Sequence, residues 1–371
     1  MNCKSRVDLL QKTVFEAVGH EFNLNSPKQL GEVLFDELHL PGGGRAKSTR
    51  EEVLLTLKEM HPAIESILQY REAAKVLGTY VNPFEEIMKS AEDGRIHTDF
   101  VQTGASSGRF SSLNPNLQNI PARGDLAEKV RKFFIPGDGF CLASFDYSQI
   151  EYRIVADASN DPVLIKYFDE GLDIHRNTAS KLFKVSAEEV TSKQRNVGKT
   201  VNFGILYGQS KFGLSRMLGI SPEEADLYIK TYYQTYAGVA EYMNRAVQEA
   251  QSRGYVESMF GRRRYMSGLN SANSRIMNAA VREAINMPMQ GSAADIMKLA
   301  MVGIQREIDK EWGEKVFLLL QIHDEFVLEI EKGVVEEVAK KIEEIMENCV
   351  KMSLPLKVGW GYGDNWAEIK E

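Results

Sequence analysis

FCLASFDYSQIEYRIVADAS, residues 140–159, changes its periodicity partway along. FCLASF (140–145) is short, apolar and β-compatible, and it runs straight into DYSQIEYRIVADAS, which has a helical pattern. Asp146 therefore stands where a strand ends and a helix begins. A second apolar stretch, KVFLLLQI (315–322), is followed by HDE (323–325) and then FVLEI (326–330). Two β-like runs around a three-residue polar turn predict a hairpin with Asp324 at its tip. With a mainly helical remainder, these strands predict an α+β fold built on a small antiparallel sheet.

An aspartate at a strand end or turn is ordinarily a cap or turn former. Here both lie beside very apolar strands, where a charge is costly unless something positive binds it. A sheet carrying the two strands side by side would bring Asp146 and Asp324 together. Two such carboxylates repel, and a shared proton or a divalent cation relieves them. Mg²⁺ takes hard oxygen ligands, commonly one or two carboxylates plus substrate phosphates. Paired ions roughly 3.5–4 Å apart serve in-line phosphoryl displacement.

KQRNVGKTVNFGILYG (193–208) places Arg195, Lys199, Phe203 and Tyr207 four apart. On a helix of about 3.6 residues per turn they share one face, and Gly208 follows as a natural stop. A four-spaced stripe is usually a core face, but two cations followed by two aromatics make a poor one. Two cations can grip a triphosphate while a ring stacks on the attached base.

Further out, residues 1–95 are mostly helical in pattern, as in LLQKTVFEAV (9–18) and EEVLLTLKEMHPAIESILQY (51–70). Between them PGGGRAKSTR (41–50) is either a flexible surface connection or a basic tip that meets a phosphate backbone through Arg45, Lys47 and Arg50. From about 160 to 267 the pattern is helical and closes on the basic cluster at 261–264. An amphipathic helix at about 333–350 precedes a short tail containing Pro and Gly.

The 371 residues allow two or three lobes with substantial cores. Three scattered cysteines without a CxxC pair exclude a disulfide framework and a zinc site, and suit a reducing cytoplasm. No apolar run approaches the roughly 20 residues of a membrane span, and the N-terminus has no secretory pattern. The net charge of −7 does not by itself exclude nucleic acid, because phosphate binding depends on local basic surface.

DYSQIEYRI (146–154), R-x3-K-x3-F-x3-YG (195–208) and HDE (323–325) resemble motifs A, B and C of family A DNA polymerases, the bacterial polymerase I type. TGASSGRFSSLNPNLQNIP (103–121), DIHR (173–176), GRRR (261–264) and REAINMPMQGSAADIMK (282–298) are similar to further family segments, in the family's order, from about Phe15 to Trp366. The resemblance implies a right hand: thumb at 1–95, palm at 96–159 and 268–371, fingers at 160–267. It implies primer-template DNA and dNTPs as partners of a monomer. It also implies two Mg²⁺ ions, with Mn²⁺ as a substitute, held by Asp146, Asp324 and the backbone carbonyl of Tyr147, with Glu325 in support. Arg195, Lys199 and His175 would contact the triphosphate, Lys199 also protonating the leaving pyrophosphate. Phe203 would stack on the nucleotide and imply rejection of dideoxynucleotides. Glu151 and Tyr207 would form a gate against the ribose 2′-hydroxyl, with Gln149 beside the nucleotide. Arg109 and Gln290 would donate to minor-groove acceptors shared by all correct pairs. Gln118, Asn119, Arg282, Asn286 and His323 would be further DNA contacts.

Tyr152 stands where the family usually has leucine, a packing change. The family's ME-x-x-G-like strand and long thumb helix have only one residual helix as counterpart before His20. A shortened thumb with low processivity is therefore expected. The exonuclease and 5′-nuclease domains of the family are not expected in this chain, so misincorporated nucleotides would persist unless separate proofreading or processivity factors act. Single-subunit RNA polymerases share the metal aspartates, but the Glu151–Tyr207 gate argues against them. A two-metal nuclease has no use for the cation-and-ring face. A non-catalytic DNA-binding relic would not need the full residue set.

Overall fold

The computed structural model describes residues 3–42, 47–122 and 124–369; Arg45 of the basic loop lies outside them. The chain forms two compact units, Met1–His97 with Ile120–Phe133, and Thr98–Asn119 with Phe134–Glu371.

The described part of the first unit is helical: α1 (Cys3–Val18), α2 (Pro27–Glu32), α3 (Glu51–Thr56), α4 (Pro62–Val76), α5 (Asn82–Ser90) and α6 (Asp125–Arg131). The helical pattern of 51–70 is realised as two helices, because Pro62 cannot continue one and instead starts α4 at its first position. Val14, Leu30, Leu34, Leu54, Ile64 and Ile67 are fully buried and make its core. Lys47 of the basic loop is paired with Asp36, so that cation is partly neutralised within the unit.

The second unit is α+β. Short strands β1 (Asp99–Val101) and β2 (Ser111–Leu113) pair, and β3 (Phe140–Tyr147) leads into α7 (Ile150–Ser159). Helices α8 (Pro162–Asp169), α9 (Ile174–Phe183), α10 (Ser192–Leu206), α11 (Lys211–Leu218), α12 (Pro222–Thr235) and α13 (Ala237–Arg253) follow. Then come the hairpin β4 (Tyr255–Glu257) and β5 (Arg263–Tyr265), the long α14 (Ser274–Glu307), β6 (Val316–Ile322), β7 (Glu325–Glu331), α15 (Val335–Asn348) and β8 (Val358–Gly363). The helical pattern read to 267 therefore stops at Arg253, and the basic cluster sits at the β4–β5 turn.

The main sheet is antiparallel in the order β6-β7-β3-β8. Alternation explains its two faces. Cys141, Ala143, Phe145 and Tyr147 of β3 join Phe326, Leu328 and Ile330 of β7 in a core completed by α14 and α15. Ser144 and Asp146 occupy the alternate positions. Strand β8, VGWGYG, was not expected: its glycines leave no apolar alternation, and pairing with β3 makes it a strand.

Candidate active site

Apart from Lys47 and Arg50 of the basic loop, which belong to the first unit, the described candidate site residues lie in the second unit. The β6–β7 turn is tighter than the sequence suggests. It consists of His323 and Asp324 alone, and Glu325 already belongs to β7. His323 takes φ 55°, the left-handed backbone that a two-residue reversal needs. Asp146 is paired in register with Glu325, and the Tyr147 amide donates to the Asp324 carbonyl at 3.1 Å. The two aspartates thus end adjacent strands. Glu325 is buried and accepts from Ser144 Oγ at 2.7 Å.

Asp146 is exposed and Asp324 half-buried. Burial, and less strongly the Glu151 charge, hold the Asp324 carboxyl above its ordinary value, against a backbone hydrogen bond, His323 and Arg109. A cation would reverse that effect. Among the described residues no group of three or more His, Cys, Asp or Glu side chains is placed to hold a metal. Two carboxylates and the Tyr147 carbonyl are a hard-oxygen donor set that fits Mg²⁺ completed by substrate phosphates.

Next to Asp324 is a three-residue junction. Arg109 Nη2 donates to Glu151 Oε1 at 2.6 Å, and Tyr207 Oη donates to Glu151 Oε2 at 2.6 Å. Glu151 is 8% exposed, and both of its oxygens are engaged. The Tyr207 phenol is pushed up by burial and then by this carboxylate, so it remains a donor. Gln149, exposed and left-handed at φ 54°, precedes α7 and starts the helix that carries Glu151.

On α10 the buried line is Gly198, Val201, Asn202 and Ile205, whereas Arg195, Lys199, Phe203 and Tyr207 are half-exposed. The stripe is therefore not the core face. A Thr191–Gln194 capping box starts the helix. Arg195 Nε donates to Asp173 Oδ2 at 2.5 Å, and Asp173 also caps α9 by accepting from the Arg176 amide at 3.1 Å. Burial opposes the Asp173 charge, but the Arg195 and Arg176 bonds outweigh it and hold its carboxyl below the ordinary value. Phe203 stands 5.5 Å from the ring of His175 and is stacked at 6.2 Å on Tyr207.

Close approach of α9 and α10 depends on Gly198. A Cβ there would overlap the His175 backbone oxygen and lie 3.0 Å from the Ala179 amide. Gly198→Ala is expected to cost about 1–3 kcal/mol in a urea titration, as overpacking does, and to shift Arg195 away from His175.

Arg282, Asn286 and Gln290 are four apart on α14 and half-buried, the last two beside the buried Ile285, Met287, Met289 and Gly291. Asn286 Nδ2 reaches the Tyr207 carbonyl at 3.4 Å, and its Oδ1 is buried without a partner among the described residues. Gly208, at φ 67°, has Arg282 against it. Gln118 donates to the Gln321 carbonyl at 3.0 Å, while Asn119 and His323 are exposed. Sequence reasoning missed the support of the Arg109 loop: Arg262 is bonded to Asp295 at 2.5 and 2.9 Å, and Lys298 Nζ donates to the Gly108 carbonyl at 2.6 Å. It also missed Asp173, whose place just before a helical run is the available signal.

No described helix is long and apolar enough to cross a membrane. A profile described as DNA polymerase family A matches residues 1–368. The chain is 46% identical over 367 residues to a thermostable DNA polymerase I of Thermus aquaticus, covering 98% of this chain and 44% of that protein. It is 44% identical over 366 residues to DNA polymerase I of Deinococcus radiodurans, covering 97% and 38% respectively. The chain thus spans less than half the length of these relatives. Among solved structures, the POL domain of Pol1 from M. smegmatis, in complex with DNA primer-template and dNTP, superposes with a TM-score of 0.87 at 40% identity. That match covers 99% of this chain and 65% of the other.

Proposed function

The chain belongs to DNA polymerase family A, and we propose that it adds deoxynucleotides from dNTPs to a primer 3′-hydroxyl on a DNA template, with pyrophosphate released. The observation that carries this reading is the Arg109–Glu151–Tyr207 junction beside Asp324, an arrangement suited to testing a sugar next to a metal-binding carboxylate. In this reading residues 1–95 are the thumb, 96–159 and 268–371 the palm, and 160–267 the fingers.

Asp146, Asp324 and the Tyr147 carbonyl would hold two Mg²⁺ ions, which when bound favour ionisation of the primer hydroxyl and neutralise the triphosphate. Arg195, Lys199 and His175 bind the triphosphate, and Phe203 stacks on the base. Glu151 and Tyr207 occupy the space a 2′-hydroxyl would need, and so select against ribonucleotides by clash. Arg109 and Gln290 donate to the minor-groove acceptors of the terminal pairs. The Arg195–Asp173 bond must loosen or be shared when a triphosphate arrives, consistent with movement of α10 over a correct pair.

Lys199 is assigned as the proton donor to the leaving pyrophosphate. Lys199→Met is expected to slow single-turnover incorporation by about 10²–10⁴-fold, the range of general acid catalysis, with primer-template affinity nearly unchanged. Equal losses in rate and DNA affinity would remove the assignment. The reading as a whole is tested by primer extension with Mg²⁺ and four dNTPs. Failure of the intact chain to extend any primer would overturn it in favour of a DNA-binding protein without catalysis.

A further inference from the structure

Behind His175 lies a run of polar side chains shut off from solvent. Thr178 is 1% exposed, and Tyr236 and Asn202 are 0% exposed. Tyr236 Oη is 2.8 Å from Thr178 Oγ1, Thr178 Oγ1 donates to Asn202 Oδ1 at 2.9 Å, and Asn202 Nδ2 is 2.9 Å from His175 Nδ1. The run ties together α9 (His175, Thr178), α10 (Asn202) and the end of α12 (Tyr236).

Counting protons orients this chain. A buried donor needs an acceptor. Among the described residues the Tyr236 hydroxyl has one partner, Thr178, so its proton goes there. The Thr178 proton then goes to Asn202 Oδ1, which turns the Asn202 amino group toward His175. Reversing the amide would send the Thr178 proton to Tyr236 and leave the Tyr236 proton buried with no acceptor. Nδ1 of His175 is thus an acceptor.

We propose that Tyr236, Thr178 and Asn202 are positioning residues that fix His175 in the tautomer protonated on Nε2, so that the ring donates an N–H to the triphosphate of the incoming nucleotide. The second half of this statement rests on the function proposed above. The ring is 6.2 Å from Tyr152 of α7 and 5.5 Å from Phe203 of α10. The charged groups that face it are Asp173 from its own helix and Arg195 and Lys199 from α10. His175 is held down at about 4, chiefly by burial, with Arg195 and Lys199 adding to the effect and Asp173 opposing it. An imidazole neutral at working pH meets a phosphate oxygen with either a proton or a lone pair. The tautomer decides which, and a lone pair would repel.

The test is two-bond ¹H–¹⁵N NMR on the intact chain labelled at histidine, with the His175 signal identified by its loss in His175→Gln. The expected spectrum has Nε2 protonated and Nδ1 bare, unchanged between about pH 6 and 8. Thr178→Val should give mixed tautomers and raise KM for dNTP about tenfold, the worth of one charge-assisted hydrogen bond, with kcat changed far less. Thr178→Ser should restore both readouts. Thr178→Ala, which removes the same hydroxyl without adding a methyl group, carries the same test should the valine variant lose its native circular dichroism. A ring protonated on Nδ1 in the intact chain would overturn the proposal. So would a Thr178→Val spectrum identical to that of the intact chain. Absence of primer extension by the intact chain would remove the nucleotide contact together with the enzymatic reading, while the NMR result would still decide the tautomer.

Discussion

Asp324→Ala is expected to lower primer extension by about 10³-fold or more, because several kcal/mol of charge stabilisation at the reacting phosphate are lost. Binding of primer-template DNA should change by less than about threefold, since the carboxylate repels rather than attracts phosphate. The fold should tolerate the change. Asp324 is half-buried at a turn, and burial holds its carboxyl above the ordinary value, so the charge is a cost to the folded chain. Because the folded-state pKa is raised, this penalty is full above that value, fades as pH falls toward the unfolded-state value and is gone below it. Asp324→Ala should therefore be no less stable than the intact chain near pH 7, and slightly more stable if nothing else moves. A variant that is inactive yet fully folded and DNA-bound is the expected result. Retention of more than about a tenth of the extension rate would remove Asp324 from the metal site.

Glu151→Ala is expected to admit ribonucleotides. The native carboxylate is fixed from both sides, by Arg109 and Tyr207 at 2.6 Å each, so it cannot swing aside for a hydroxyl. Removing it opens space against the sugar, and the preference for dNTP over rNTP should fall about 10²-fold, the worth of a clash of roughly 3 kcal/mol. Deoxynucleotide incorporation should also slow, because the Tyr207 hydroxyl and the Arg109 guanidinium lose their shared acceptor. Glu151→Gln separates the two effects: it keeps the bulk and one acceptor oxygen but loses the charge that holds Arg109. Sugar selection should survive in the glutamine variant and fail in the alanine variant. Side-by-side single-nucleotide kinetics with dNTP and rNTP read this directly. Unchanged selection in Glu151→Ala would end the gate assignment.

Part of this architecture is legible in the chain itself. Strand β3, its junction with α7 and the β6–β7 hairpin are written in local periodicity, as are the four-spaced face of α10 and its stop at Gly208. Each depends on neighbours a few residues apart, where side-chain pattern and backbone preference act together. The aspartates could be singled out because each sits where such a pattern breaks. Strand β8 could not be seen, because the glycines in VGWGYG erase any alternation and only pairing with β3 orders it. The two-residue turn that moves Glu325 into β7 and onto Ser144 was likewise hidden, since it depends on His323 adopting a left-handed backbone that few non-glycine residues take.

The residues beside the aspartates belong to a different level. Glu151 meets Arg109 from 42 positions away and Tyr207 from 56. Thr178 meets Tyr236 from 58 positions away. No local pattern encodes such meetings. They follow from which helix faces bury together and from the demand that every buried donor find an acceptor. By itself, then, the sequence determined where β3 gives way to α7, where the cations and rings line up, and which family the motifs resemble. Tertiary structure alone decided that Arg109 and Tyr207 both bond to Glu151, and Thr178 to Tyr236, because burial of apolar faces far apart in the chain is what carries these side chains together.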